Sequence, residues 1–215
     1  MKRLGLLLLA SALAIATAGA VTPQEIVDRS AEILRGFRAM PEKAIPRRVL
    51  NDARGLAIMS VLKVGVGISG QGGQGVVVAR TGHGWSGPSF IGTGGAGWGL
   101  QIGAQVTEFV FVLNTDAAVR SFSRDGNVTI GGDVSAAAGP VGRDLQAGVT
   151  PSAAIYTYSR SQGLFAGISL QGAVIATQKT ANGRYYGHAV SARQILSGRV
   201  SPPAGASVLL RALGR

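Results

Sequence analysis

The densest run of chemistry-bearing side chains in this 215-residue sequence is cationic. Arg35, Arg38, Lys43, Arg47, Arg48, Arg54 and Lys63 stand within one short stretch, against only Glu42 and Asp52. Guanidinium forks match phosphate oxygens two at a time. Each basic group held near an anionic bilayer contributes about 1 kcal/mol. The run therefore reads as a headgroup-binding surface, or as the solvated helical face of a basic protein. Downstream, Trp85-Ser86-Gly87-Pro88-Ser89-Phe90 forms a compact aromatic turn. Trp85 and Phe90 are candidates for rings seated at a membrane interface, or for plugs of a β core.

No other residue set proposes a reaction. His83 and His188 lie far apart, each in a Gly-rich or aromatic turn, and the ten acidic residues are scattered singly. Metal and acid–base chemistry need convergent partners, so no catalytic residue, metal site or cofactor is nominated. Gly65-Val66-Gly67-Ile68-Ser69-Gly70 matches the dinucleotide fingerprint, but more glycine follows where a helix should open. The absence of cysteine removes disulfides, thiolate metal sites and a cysteine nucleophile.

Lys2 and Arg3, the apolar stretch Leu4–Ala14 and the small-x-small site Ala18-Gly19-Ala20 read as a secretory signal over residues 1–20. Residues 21–215 are then the working domain, exported to the periplasm or envelope, or secreted. If the signal is retained it acts as an anchor instead. The formal net charge is +11, carried mostly by arginine, and falls to +9 without Lys2 and Arg3. Such a surface favours phosphate-bearing partners. Nucleic acid is disfavoured because export removes the protein from most of it.

These residues need a scaffold. Thr22-Pro23-Gln24-Glu25 is a capping box with proline at the first helical position. The helix it opens carries Ile26, Ile33 and Phe37 on one face and ends by Pro41. A short helix runs from Pro46 to just before Gly55. Fifteen of the 33 glycines fall between Gly65 and Gly103, many alternating with apolar residues. That period of two predicts strands with one nearly bare face, where backbone layers press together. Strands are predicted over 56–61, 64–69 and 75–80, broken at Lys63 and in a turn over 70–75, then over 98–106 and 108–114. Thr115 caps a helix over 116–123. Further strands are predicted over 127–130, 133–138, 152–160, 164–171 and 174–177. Ser161-Gln162-Gly163 and Asn182-Gly183 are hairpin signals. Helices return over 191–196, ending at Gly198, and over 206–213. The sum is an α+β domain: an antiparallel, Gly-rich β-barrel or sandwich core framed by short N- and C-terminal helices.

The ordered motifs resemble the SYLF domain family. They are Ile45-Pro46 with Val49-Leu50, then Ala53-Arg54-Gly55-Leu56-Ala57-Ile58, the Trp85–Phe90 turn, and Gly94 to Gly103. Phe111-Val112-Leu113-Asn114, Ala136 to Arg143, Tyr158 to Gly167, Tyr186-Gly187 and Ala192-Ile195-Leu196 continue the series over about Ile26 to Leu213. The resemblance implies a non-enzymatic, lipid-binding domain. Eukaryotic members bind phosphoinositides, and some bind and bundle actin. A leader followed by this domain alone looks like the exported bacterial layout. That layout argues against actin as native partner and for anionic phospholipid, met through the N-terminal amphipathic segment Thr22–Arg54. The family supplies no fixed ligand residues here, so the basic candidates rest on charge. The competing reading is a structural or envelope protein that meets a polyanionic glycan or a partner protein. Oligomeric state is open.

Overall fold

The computed structural model describes residues 21–40, 44–140, 153–163 and 173–214. The leader over 1–20, Lys43 and the strand expected over 164–171 lie outside the described residues. The first helix, α1 (Pro23–Arg38), starts as its sequence dictates. Thr22 Oγ1 accepts the Glu25 N–H at 3.3 Å while the Glu25 carboxylate accepts the Thr22 N–H at 2.7 Å. Its buried stripe holds Ile26, Val27, Ile33, Leu34 and Phe37. A single-turn helix, α2 (Arg47–Asp52), buries Val49 and Leu50.

The sheet is built differently from the string of short strands that local signals suggest. β1 (Gly55–Thr81) runs unbroken through Lys63 and through residues 70–75. β2 (Gly84–Trp85) turns back on its end, and β3 (Ser89–Leu113) pairs antiparallel with nearly the whole of β1, from Gly55↔Leu113 to Val77↔Ser89. The break comes instead between Val66 and Ile68, where the register slips. There the long ribbon folds back, bringing the two halves of β1 side by side. The Arg80 N–H donates to the Arg54 carbonyl at 2.8 Å. Gly55 faces the Val78 carbonyl, Gly73 the Ser60 carbonyl and Gly75 the Ile58 carbonyl. At Gly75 an added Cβ would collide with Ile58 O and the Met59 backbone, so close approach requires glycine there. Gly70 and Gly72, by contrast, face open space.

β6 (Ile155–Gly163) extends the sheet antiparallel along β3, and β5 (Ala136–Ala138) joins β6 in parallel. β7 (Val174–Thr177) pairs with the start of β3 and with β4 (Asn127–Thr129). The result is a curled, antiparallel-dominated half-barrel with short helices from both chain ends, an α+β fold as expected. Residues 161–163 continue β6 against Gln105–Thr107 rather than turning a hairpin. Asn182-Gly183 lies inside a helix, α4 (Lys179–Tyr186). Buried Asn182 accepts the Phe90 N–H at 2.8 Å and so serves packing, not a turn.

The alternation along β1 feeds two cores. Leu56 and Ile58 join α1, α2, Val110, Val112 and the C-terminal helix α6 (Ser207–Leu213) on one side. Ala57, Met59 and Val61 join Phe109, Phe111, α3 (Asp116–Ser123) and α5 (Ala192–Leu196) on the other. α5 ends at Gly198, whose φ of 73° is the left-handed cap its sequence predicts. No described helix is long and apolar enough to cross a membrane.

Candidate functional site: a cationic groove at the end of α1

The basic run does not form one continuous face. Arg38, in the last turn of α1, and Arg47, in the first turn of α2, converge on a groove of about 520 Å³. Arg80, near the end of β1, supplies a third guanidinium. Ile45, Leu50 and Leu213 supply apolar wall, Asn51 a side-chain amide and Gly214 the lip. No carboxylate side chain is among the described lining residues.

Each arginine is placed by local structure. Arg38 donates to the Ala212 and Leu213 carbonyls at 2.5 and 3.0 Å, capping the C-terminal end of α6. Partial burial, and then the charge of Arg47, hold its guanidinium below the usual arginine range. Partial burial does the same for Arg80. That guanidinium lies over the Trp85 ring, 4.0 Å from its centroid, because β1 and β2 place Arg80 opposite Trp85. Three cations gathered around one groove, Arg38 and Arg47 exposed and Arg80 half-buried, without a counter-charge in the described lining make an electrostatic seat for an anion.

The remaining candidates disperse. Arg35 is exposed on α1. Arg48 approaches Asp52 at 3.8 Å, and Arg54 approaches Asp116 at 3.9 Å, both exposed pairs. Lys63 sits far along β1 from the groove residues. Trp85 is half-buried beneath Arg80. Phe90 has no exposed surface and makes an edge contact with Tyr185 at 5.1 Å. It is therefore a core ring, and the reading of Phe90 as an interface aromatic is corrected by its burial.

Sequence reasoning missed two features. Arg80 fell outside the basic window. Its signal was an arginine ending a strand with a tryptophan five positions on. The second is a charged clamp. Glu108 on β3, with only 4% of its side chain exposed, accepts from Arg29 Nη2 at 2.7 Å and from Arg160 Nε at 2.8 Å. Arg160 Nη2 also bonds the same carboxylate. Arg160 reaches over the Phe37 ring, and Gly36 leaves room for it: a Cβ there would lie 2.7 Å from Arg160 Nη1. The clamp ties α1 to β3 and β6, which sets where α1 ends and hence where Arg38 stands.

The proteins that this chain is similar to fall into one group. The family model described as "Ysc84: Las17-binding protein actin regulator" matches residues 94–215. Protein YSC84 of Saccharomyces cerevisiae is 46% identical over 196 residues, covering 86% of this chain and 42% of that protein. LAS seventeen-binding protein 3 of the same yeast is 48% identical over 177 residues, covering 80% of this chain and 39% of its own length. The human SH3 domain-containing YSC84-like protein 1 is 44% identical over 193 residues, covering 86% and 56%. The chain thus spans about half the length of the curated relatives it matches.

Proposed function

Since the chain belongs to the Ysc84 family, the SYLF-domain family that its motifs resemble, we propose that it is a non-enzymatic binding protein whose Arg38–Arg47–Arg80 groove takes the phosphate of an anionic phospholipid. The observation that carries this reading is the convergence of three guanidiniums, one backed by a tryptophan, on a groove without a carboxylate in its described lining. Arginine forks supply bidentate contacts to phosphate oxygens, and the exposed Arg35 and Arg48 nearby in sequence add attraction to an anionic surface. The leader composition of residues 1–20 supports an exported protein, meeting the membrane from its periplasmic side.

Vesicle co-sedimentation tests this. Arg47→Ala/Arg80→Ala removes two groove cations and leaves Arg38, which α6 needs, in place. Pelleting with anionic vesicles is expected to fall in the variant and to weaken in the parent as salt rises. Equal pelleting with neutral vesicles, or an unchanged variant, refutes the reading.

A second reading follows from the matched segment 94–215, which excludes all three groove arginines. In it, a surface of that segment meets an actin-regulating partner of the Las17 kind, in keeping with the relatives' names. The expectation that actin is an unlikely partner finds no support in these relatives. Co-sedimentation with actin filaments in the absence of lipid separates the two readings.

A further inference from the structure

At the other end of α1 lies a different kind of surface. Four large apolar side chains stand exposed among the described residues: Val21, Leu62, Val64 and Val174. Single exposed apolar residues need no explanation, but contiguous ones mark binding surfaces. Three of these four line one feature. A cavity of about 430 Å³ runs between α1 and β1, past Val21, Ile26, Ile33 and Leu62. A second, of about 680 Å³, runs on past Phe90 and Ile91 to Val174 and Arg184. The two share Val21, Ile26, Gly72, Gly73 and Gln74, so they form one continuous slot. Val64, two positions beyond Leu62, extends the same strand face.

The slot is open, mainly apolar past Ile26, Ile33 and Leu62 and mixed where Thr93, Asn127 and Gln178 stand beside Phe90, Ile91 and Val174. Its floor at Gly72 is bare, with nothing within 4 Å of where a Cβ would stand. Its charged groups differ in kind. Glu25 is engaged by the Thr22 N–H and hydroxyl, and Arg29 by Glu32 and Glu108. Arg184, at the far mouth, is exposed and has no ion pair among the described residues. A slot that is apolar between α1 and β1, turns more polar beyond and carries an uncompensated cation there is complementary to one class of ligand, an amphiphile with a single alkyl chain and an anionic head. We propose that the slot lined by Val21, Ile26, Leu62, Gly72 and Val174 holds the alkyl chain of a long-chain fatty acid, with its carboxylate at Arg184. Each volume falls within the ~300–1,000 Å³ of ordinary small-molecule sites. About twelve helical residues, ~18 Å at 1.5 Å rise per residue, separate Ile26 from Arg38, so this site is independent of the cationic groove.

The probe is cis-parinaric acid, a fluorescent long-chain fatty acid, titrated into the full chain and displaced with palmitate. Saturable binding is expected, and hexadecan-1-ol, which lacks the charge, should displace at least ~10-fold less well. Gly72→Trp fills the slot from its open floor and should abolish saturable binding. Gly70→Trp, equally unhindered but outside the slot, should leave it intact and report that a tryptophan on this strand does not unfold the sheet. Arg184→Gln should weaken palmitate and spare the alcohol. No saturable binding to the parent, or unchanged binding in Gly72→Trp, overturns the proposal. Vesicle pelleting of Gly72→Trp should match the parent, so failure here and failure of the headgroup reading are separately visible.

Discussion

Glu108→Gln keeps the length and shape of the side chain and removes its charge, which makes it the sharpest test of how α1 is held. The carboxylate is nearly sealed from solvent and bonds Arg29 and Arg160 from two different elements. Removing one partner of a buried pair costs about 3–5 kcal/mol, because the remaining charge is left uncompensated. Arg29 is 50% exposed and Arg160 27%, so water takes up part of the orphaned charge. The expected loss therefore sits at the low end, about 3 kcal/mol. At about 2–4 °C per kcal/mol for a chain of this size, Tm should fall by about 6–12 °C. Urea denaturation should show a lower midpoint with unchanged slope. A cycle with Arg160→Met should give a coupling above about 1 kcal/mol, since the two residues touch. A loss below about 1 kcal/mol, or additivity in the cycle, refutes the view that this carboxylate clamps the helix to the sheet.

Other outcomes follow from the same geometry. Gly75→Ala should cost about 3 kcal/mol by driving a methyl group into the Ile58 carbonyl, while Gly70→Ala should stay within about 0.5 kcal/mol, as urea midpoints will show. Arg38→Met removes two donors from the α6 carbonyls and should cost about 1–2 kcal/mol, with faster amide exchange over Ser207–Leu213. Burial, and then the charge of Asp28, push the Tyr185 hydroxyl up to about 12. The unfolded chain releases that proton near pH 10 and the folded one later, so this contribution is intact below about pH 10 and is lost as pH climbs toward 12. Burial also pushes up Tyr158 and Tyr186. Tyr185→Phe should flatten part of this alkaline decline in melts run from pH 8 to 12, without lowering stability at pH 8, because the hydroxyl is buried without a partner among the described residues.

Local chemistry explains which parts of this fold can be read directly. Thr22 and Glu25 lie three residues apart, so a capping box is visible in the sequence and present in space. The same holds for Thr115, whose hydroxyl accepts the Ala118 N–H at 3.1 Å, and for the strand Val174–Thr177. Lys63 and the glycines of 70–75 mislead because a bent two-stranded ribbon tolerates polar and small residues in its middle, and the bend comes at the register slip instead. Asn182-Gly183 misleads because a partner far back in the chain, the Phe90 N–H, claims the asparagine. The candidate site divides in the same way. Arg38 ends α1 and Arg47 opens α2 nine positions on, so their proximity is legible, whereas Arg80 reaches the groove only once β1 has folded back. Glu108, Arg29 and Arg160 stand far apart in sequence, and single-residue patterns carry no signal of such a triad.

The fold-back of the β1–β3 ribbon also bears on the order in which the protein assembles. Val77 and Ser89 are separated by only eleven residues, which hold the end of β1 and the β2 turn-back, but Gly55 and Leu113 meet only across the whole of both strands. Loop-closure entropy therefore favours zipping from the Val77–Ser89 end toward Gly55–Leu113. The register slip at Val66/Ile68 is the corner the zipper must turn before the two halves of β1 can meet. The Glu108 clamp, the α1 dock and the cationic groove all depend on contacts made after that corner. Substitutions there should slow folding, whereas substitutions in α1 should mainly hasten unfolding.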